Sequence, residues 1–209
     1  MKKAVLWDFG GVILTSPFES FNRYEAAHEL PINFIRSVNA RQAHDNAWAK
    51  LERSEVTVDE FDRLFADESA ALGHRVPGVD VLELLAGEIQ PEMVDLLDRV
   101  KAAGHKVACL TNNVLDADGH RSSPQRAQTL AEVMARFDDI VESSQVGVRK
   151  PERRFYEIAC ERLGVVPADC VFLDDLGVNL KPAAAMGMTT IKVSSAKQAI
   201  DDLVAVLRL

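Results

Sequence analysis

Acidic, hydroxyl and amide side chains stand at the ends of several apolar stretches of this 209-residue chain. Asp8 ends AVLWD, Thr111 and Asn112 end CLTN, and Asp174 and Asp175 end VFLDD. Carboxylates that lie close together repel one another unless a cation is bound between them. Mg²⁺ suits an all-oxygen cluster, because it takes few protein ligands and keeps water or phosphate oxygens around it. These residue types therefore indicate a magnesium site, if the fold brings them together.

A lysine completes a set of donors that suits an anion. Lys150 lies directly before a predicted helix, and its ammonium group joins the hydroxyl of Thr111 and the amide of Asn112 as donors to a phosphate. Each residue alone also has an ordinary interpretation, as a helix cap, a turn or a solvated surface residue. Asn113 and Asn179 are expected near the same point, with Asn179 interpreted as a cap of the helix that it begins. The combination at strand ends, rather than any single residue, favours a site.

The elements that must position these side chains follow from the pattern of apolar residues. After Gln90, short apolar runs alternate with segments whose apolar residues recur every three or four positions. The predicted strands cover residues 3–8, 106–111, 139–144, 170–175 and 189–193. The predicted helices cover residues 91–104, 123–137, 151–164, 179–187 and 196–209. This alternation predicts an α/β fold with a Rossmann-like parallel sheet and helices on both faces. Ligands bind such a sheet beyond the carboxyl ends of its strands, where the polar residues are expected to meet.

A segment without a strand pattern separates the first strand from the others. Three of its stretches carry apolar residues at helical spacing, over residues 18–30, 35–52 and 58–72. We therefore predict two domains. Residues 1–14 and 89–209 form the α/β core, and residues 15–88 form a helical insertion.

Three residues of the insertion have alternative interpretations. Arg41, His44 and Trp48 recur at spacings of three and four, so they would share a face of the helix predicted over 35–52. In one hypothesis this face lines the site, and Arg41 or His44 contacts a substrate anion or supplies a proton. In the interpretation that we favour, Trp48 belongs to the core of the insertion and the other two side chains are solvated.

Composition and charge exclude several classes of partner. Asp and Glu number 32 against 24 Lys and Arg, a net charge of −8, which disfavours nucleic acid because a phosphate backbone requires a basic surface. The chain contains no run of 18 apolar residues, so no membrane span is expected. Asp8 interrupts the first apolar run, which argues against a signal peptide. Cys109, Cys160 and Cys170 lie in apolar stretches, which indicates buried thiols in a reduced, cytoplasmic protein.

Four stretches together resemble the haloacid dehalogenase-like hydrolase superfamily. They are AVLWDFGGV (4–12), CLTNN (109–113), VGVRKPERRFYEIACERLG (146–164) and VFLDDLGVNLKPAAAMGMTTI (171–191). The last stretch is similar to the N-terminal phosphatase domain of soluble epoxide hydrolases and their bacterial relatives. The position of the insertion matches that of the helical cap in this superfamily.

The resemblance implies a phosphatase mechanism and a role for each matching residue. Asp8 matches the nucleophile, which attacks phosphorus and forms an aspartyl-phosphate. Lys150 matches the cation that neutralises the nucleophile and the phosphate. Thr111 and Asn112 match the pair that binds the phosphate. Such a reaction requires positioning and charge neutralisation more than covalent help from other side chains.

The resemblance also implies a magnesium cofactor and its ligands. Asp8 itself and the backbone carbonyl of Gly10 match two of the metal-binding positions. Asp175 matches the direct ligand of the last motif, and Asp174 matches a neighbour that acts directly or through a metal-bound water. The expected partner is a small phosphorylated substrate, and the protein is expected to be a monomer or a homodimer.

Gly10 departs from the pattern of most phosphatases in the superfamily. They carry an aspartate at this position, which protonates the leaving group and later activates water. General acid–base help of this kind contributes about 10²–10⁴-fold to rate. We therefore expect weak activity, a preference for activated acyl or aryl phosphates, or a proton supplied by a residue of the insertion.

Two other functions stay open. Haloacid dehalogenases of the same superfamily also lack the second aspartate, but they do not require Mg²⁺ and their last motif is less acidic. The pair Asp174 and Asp175 keeps the metal-binding form, so we favour the phosphatase. The third possibility is a catalytically weak regulatory or binding protein on this fold.

Overall fold

The apolar runs predicted as strands form one parallel sheet in the computed structural model, which describes residues 2–112 and 124–209. Its strands are β1 (Ala4–Trp7), β2 (Lys106–Thr111), β3 (Asp139–Glu142), β4 (Cys170–Asp174) and β5 (Thr189–Lys192). Their order across the sheet is β3-β2-β1-β4-β5, and each neighbouring pair runs parallel. The predicted α/β fold is confirmed.

The part of the chain that the structure describes contains eleven α-helices. Five lie within residues 15–88, after β1: α1 (Phe18–Ala27), α2 (Phe34–Ala40), α3 (Ala47–Glu52), α4 (Val58–Ala70) and α5 (Gly78–Glu83). The other six are α6 (Pro91–Ala102), α7 (Pro124–Met134), α8 (Ser143–Val146), α9 (Arg153–Leu163), α10 (Gly177–Ala185) and α11 (Ala196–Leu207).

Both faces of the sheet are covered, as predicted. Successive side chains of a strand point to opposite faces. Val5 and Trp7 of β1 accordingly pack in one apolar cluster with α6 and α11, while Ala4 and Leu6 pack in another with α9 and α10. Burial on both faces explains why β1 and β4 are continuous apolar runs rather than alternating ones.

The register of the central strands brings the acidic residues to one edge. Trp7 lies beside Cys109 of β2 on one side and beside Leu173 of β4 on the other. The next residue along β1 is Asp8, directly beyond the strand, and the next along β4 is Asp174, its last residue, so the two lie at the same level at one edge of the sheet.

The insertion has an apolar cluster of its own. Phe61 and Phe65 of α4 are buried against Trp48 of α3, among other side chains of α1–α5. An antiparallel bridge between Leu14 and Ile89 joins the chain where it leaves the core and where it returns. This separate cluster supports our proposal that residues 15–88 form a distinct unit.

One predicted helix of the insertion is wrong. The segment 35–52 forms two helices, α2 and α3, joined by a turn. Asn46 explains the break, because its side-chain oxygen accepts a hydrogen bond from Ala49 N at the start of α3 (2.9 Å). Its amide nitrogen donates to the carbonyls of Asn39 (2.9 Å) and Arg41 (3.0 Å) at the end of α2. One side chain therefore caps both helix ends.

The break removes the basis for a shared face of Arg41, His44 and Trp48. Arg41 has extended backbone angles at the end of α2, and His44 lies in the turn. Trp48 is on α3, buried, with its ring edge against Phe61 at a centroid distance of 4.9 Å. The interpretation of Trp48 as a core residue is confirmed.

Smaller differences occur at two element ends next to the site. The strand predicted over 139–144 ends at Glu142, and the following residues form the short helix α8. The helix predicted to begin at Asn179 begins at Gly177, so Asn179 is inside α10.

The expectation that the cysteines are buried is confirmed. Cys109, Cys160 and Cys170 are buried thiols without a disulfide. Within the described ranges, no helix is long and apolar enough to cross a membrane.

Candidate active site

Three carboxylates meet at the carboxyl edge of the sheet. Asp8 follows β1, Asp174 ends β4, and Asp175 is the next residue. One carboxylate oxygen from each lies within 4.8 Å of the others. The sequence prediction that these residues lie together is thus met by the fold, and the donor set consists of oxygen alone.

Lys150 lies between two of these acids. Its ammonium nitrogen is 2.7 Å from Asp8 Oδ1 and 3.0 Å from Asp174 Oδ2, although the residue is only 1% exposed. Burial alone would lower the pKa of this lysine, but the charges of Asp174 and Asp8 outweigh burial and raise the pKa above its usual value. Lys150 is therefore a permanent cation within the site.

A single lysine does not neutralise three carboxylates. Burial raises the pKa of Asp8 well above its usual value, partly offset by Lys150, and the charges of Asp174 and Asp175 add to the rise. Burial and the charge of Asp174 raise the pKa of Asp175 to about 6. Surplus negative charge among oxygen ligands fits a divalent cation such as Mg²⁺.

The carboxylate of Asp174 is held by protein donors on all sides. In addition to Lys150, it accepts hydrogen bonds from Leu176 N (2.7 Å) and from Asn179 Nδ2 (3.0 and 3.1 Å to its two oxygens). Asn179 was expected to cap its helix, but its side chain is buried and donates to Asp174 instead. The orientation of the Asp174 carboxylate is therefore fixed, next to the ammonium group of Lys150.

Asp175 is less enclosed and lies against the loop after β1. Its Oδ2 accepts a hydrogen bond from Ser16 Oγ at 3.3 Å. Gly11 makes room for it, because a Cβ atom at Gly11 would lie 2.3 Å from Asp175 Oδ2, and the φ angle of +74° there also favours glycine. Gly10, by contrast, is exposed and would place a Cβ atom in open space.

The two predicted phosphate-binding residues differ in what they offer. Thr111 is the last residue of β2 and is 8% exposed. The side chain of Asn112 is already engaged: its Oδ1 accepts from Lys150 N (2.9 Å), and its Nδ2 donates to Lys150 O (3.0 Å) and to Glu52 Oε2 (3.2 Å). Its amide hydrogens thus have partners within the protein. Asn113 lies outside the described residues.

Sequence reasoning missed several residues that contact the predicted ones. Ser16 binds Asp175, and Glu52 of α3 reaches across from the insertion to Asn112. Asn179 was expected near the site, but as a helix cap and not as a donor to Asp174. Arg149, the neighbour of Lys150, pairs with Glu52. No local pattern marks Glu52, because its partners lie about 60 and 100 positions away along the chain.

Comparisons with known proteins identify relatives of the whole chain. A family model described as haloacid dehalogenase-like hydrolase matches residues 2–187. Mouse acyl-CoA dehydrogenase family member 10 is 32% identical over 98% of the chain, and mouse bifunctional epoxide hydrolase 2 is 31% identical over 96%. The chain spans only 19% and 38% of these two relatives.

Solved structures with the same fold include two kinds of hydrolase. A HAD family enzyme from Bacteroides thetaiotaomicron, in complex with magnesium and inorganic phosphate, has a TM-score of 0.60 at 21% identity and covers 92% of this chain and 94% of its own. The L-2-haloacid dehalogenase from Xanthobacter autotrophicus, with chloropropionic acid covalently bound, has a TM-score of 0.60 at 20% identity, covering 98% and 83%.

Proposed function

Because the chain belongs to the haloacid dehalogenase-like hydrolases, we propose that it is a magnesium-dependent phosphohydrolase that forms an aspartyl-phosphate at Asp8. The supporting observation is the set of three carboxylates at the sheet edge, with one lysine among them. A site in which the carboxylate attacks a carbon atom of an uncharged or monoanionic substrate gains nothing from this surplus of negative charge. A site that holds a divalent cation beside a phosphate requires it.

We assign the metal to a subset of the acidic residues. Asp8, Asp175 and the backbone carbonyl of Gly10 would hold Mg²⁺ directly. Asp174, whose oxygens already accept hydrogen bonds from Lys150 and Asn179, would act through a metal-bound water. Bound there, magnesium would offset the repulsion between an anionic carboxylate and an anionic phosphate.

The residues of the chain divide the remaining tasks. A carboxylate oxygen of Asp8 forms a bond to phosphorus while the bond from phosphorus to the leaving-group oxygen breaks. Water then attacks the same phosphorus and the bond to Asp8 breaks, which releases inorganic phosphate and restores the carboxylate. Lys150 holds Asp8 in place and neutralises charge as it moves toward the phosphoryl oxygens. Thr111 donates its hydroxyl to the phosphate, and Asn112 contributes its backbone N–H because its side chain is already bound to protein groups.

The glycine at position 10 defines the class of substrate. No side chain at this position can protonate the leaving group, so a leaving group that departs as a stable anion has the lower barrier. We propose small acyl or aryl phosphates as the preferred substrates. We expect a small phosphorylated substrate as the partner of a cytoplasmic monomer or homodimer, without nucleic acid or membrane.

A dehalogenase is the second candidate, on one observation. Position 10 offers no carboxyl group that could protonate a leaving group, and displacement of halide from carbon requires none. The charge of Asp174 and Asp175 argues against it, because these acids would repel a 2-haloacid carboxylate. A weakly catalytic binding protein is the third candidate, and it would retain phosphate without turnover.

The test is hydrolysis of 4-nitrophenyl phosphate with and without Mg²⁺. We expect turnover that requires the metal and is abolished by Asp8→Asn, with Asp59→Asn, at an exposed acid of α4, as the control that retains activity. Release of halide from 2-haloacids in the presence of a chelator would support the dehalogenase instead. Absence of both activities, with Asp8 intact and the protein folded, would leave the binding role.

A further inference from the structure

The insertion contacts the core through two consecutive pairs of charged residues. Glu52 at the end of α3 pairs with Arg149 of the core, and the next residue, Arg53, lies 3.6 Å from Glu152. The order of charges is acid then base on the insertion and base then acid on the core. Each charged residue of the insertion therefore faces an opposite charge on the core.

Of these two pairs, the first is better shielded from solvent. The side chains of Glu52 and Arg149 are each 14% exposed, whereas Glu152 is 34% exposed. Arg149 also donates from Nη1 to the carbonyl of Ala43 (2.8 Å), in the turn before α3. The guanidinium therefore holds the insertion at two points, and the orientation of Glu52 is restricted.

Glu52 reaches further, to the residue that supports Lys150. Its Oε2 accepts from Asn112 Nδ2 at 3.2 Å, and the same amide group of Asn112 binds both Lys150 N and Lys150 O. The ammonium of Lys150 in turn lies 2.7 Å from Asp8. A continuous series of polar contacts thus runs from the insertion to the nucleophile.

We propose that Glu52 is a positioning residue of the catalytic centre: it orients the amide of Asn112 and, through it, the backbone of Lys150. The proposal rests on the proposed phosphohydrolase function. Glu52 is not the proton donor that Gly10 lacks, because its carboxylate is occupied by Arg149 and Asn112. Its effect is instead on the placement of Lys150 opposite Asp8, and hence on the chemical step.

Kinetics of two variants test the proposal against a matched control. Glu52→Ala should lower kcat on 4-nitrophenyl phosphate about 10- to 100-fold, the usual scale for a displaced catalytic group, with KM changed less than about threefold. Glu52→Gln should recover part of the loss, because its amide oxygen can still accept from Asn112. The control is Glu55→Ala, which removes a carboxylate that pairs with Arg53 and lies 47% exposed. Its kcat should stay within about twofold of the wild-type value.

A second measurement, hydrogen exchange, reports on the contact between Asn112 and the backbone of Lys150 and does not depend on turnover. Hydrogen exchange of the peptide containing Lys150 should be faster in Glu52→Ala than in wild type or Glu55→Ala, because the amide of Asn112 that binds Lys150 N has lost a partner. If wild type hydrolyses no phosphate, the proposed function fails, while exchange still decides whether Glu52 supports this backbone. If Glu52→Ala does not fold, Glu52→Leu, which also lacks an acceptor for Asn112, takes its place in both measurements.

Three results would overturn the proposal. One is a kcat of folded Glu52→Ala within twofold of wild type, and another is an equal loss in Glu55→Ala. The third is unchanged exchange at Lys150 in the variant of Glu52 that folds.

Discussion

Gly10 has no side chain, although the structure leaves space for one. A Cβ atom at this position meets no heavy atom within 4 Å, so Gly10→Asp is compatible with the backbone. We expect this change to raise kcat on an alkyl phosphate by up to about 10²-fold, because the new carboxyl group can protonate a poor leaving group. Turnover of 4-nitrophenyl phosphate, whose leaving group needs less help, should rise less, because only the activation of water on the shared aspartyl-phosphate would accelerate it.

Gly11→Ala serves as the contrast for this prediction. Its Cβ atom would collide with the carboxylate of Asp175, so Mg²⁺-dependent turnover of both substrates should fall. A folded Gly10→Asp protein whose alkyl phosphatase activity equals that of wild type would show that the missing acid does not limit the reaction.

Lys150 is the second residue whose removal has a defined consequence. Lys150→Met keeps the length of the side chain but leaves Asp8 and Asp174 buried without their cation. The free energy of unfolding should fall by about 3–5 kcal/mol, the usual cost of one uncompensated buried charge. Lys197→Met, which removes an exposed pair with Asp201, should cost less than about 1 kcal/mol.

The loss in Lys150→Met should also depend on pH. Burial already raises the pKa of Asp8, and without Lys150 it rises further, so the folded state binds a proton more tightly than the unfolded state. The loss relative to wild type then grows as pH rises through the range in which Asp8 ionises in the folded wild type but stays protonated in the folded variant. Urea denaturation of both proteins over a series of pH values should show a loss that increases with pH, and a constant loss would contradict this origin.

Among the elements, the break between α2 and α3 matters most for the site. Asn46 caps both helices, and α3 carries Glu52 toward Asn112. Asn46→Ala should cost about 1–2 kcal/mol of stability, as the loss of a capping residue does, and should also lower kcat because α3 is less well oriented.

Thr57→Ala provides the matched control for Asn46→Ala. Thr57 caps α4 together with Glu60, but it has no contact with the core site. The expected cost in stability is about 1 kcal/mol, without a change in kcat. If Asn46→Ala and Thr57→Ala lower the free energy of unfolding and kcat in the same proportion, the loss of kcat in Asn46→Ala does not come from the orientation of α3.

The same break shows where sequence reasoning about elements stops. Strands β1, β2 and β4 were predictable to within one residue, because a buried parallel strand is a short apolar run. The residues 35–52 keep helical spacing through the turn, so periodicity alone cannot detect a cap that acts by side-chain hydrogen bonds. Asp8 and Asp175 were recognisable from motif and position, whereas Glu52 depends on how the insertion packs on the core.

For the whole molecule, metal binding and stability should be coupled. Without a metal, the pKa of Asp175 is raised from 3.8 to about 6 by burial and by Asp174, so the folded state is destabilised as pH rises from about 4 to about 6, by at most ~3 kcal/mol. Addition of Mg²⁺ should therefore raise Tm more at pH 7.5 than at pH 5, where protons compete for the same carboxylates.

Thermal unfolding in EDTA and in millimolar MgCl₂ measures this coupling. Asp175→Asn should abolish the rise in Tm at pH 7.5, while Asp59→Asn should retain it. A rise of the same size in wild type and Asp175→Asn would place the bound metal elsewhere on the molecule.

The bridge between Leu14 and Ile89 brings the chain back beside the point from which it departed. Gln90 reinforces the junction, because its side-chain amide donates to the carbonyls of Val12 (2.9 Å) and Leu14 (3.1 Å). Because the chain leaves and re-enters the core at neighbouring points, the segment between them can be lengthened, shortened or replaced without a change in the order of the strands. Under the proposed function, changes in this segment would alter which molecules reach Asp8 and leave the residues at the edge of the sheet unchanged.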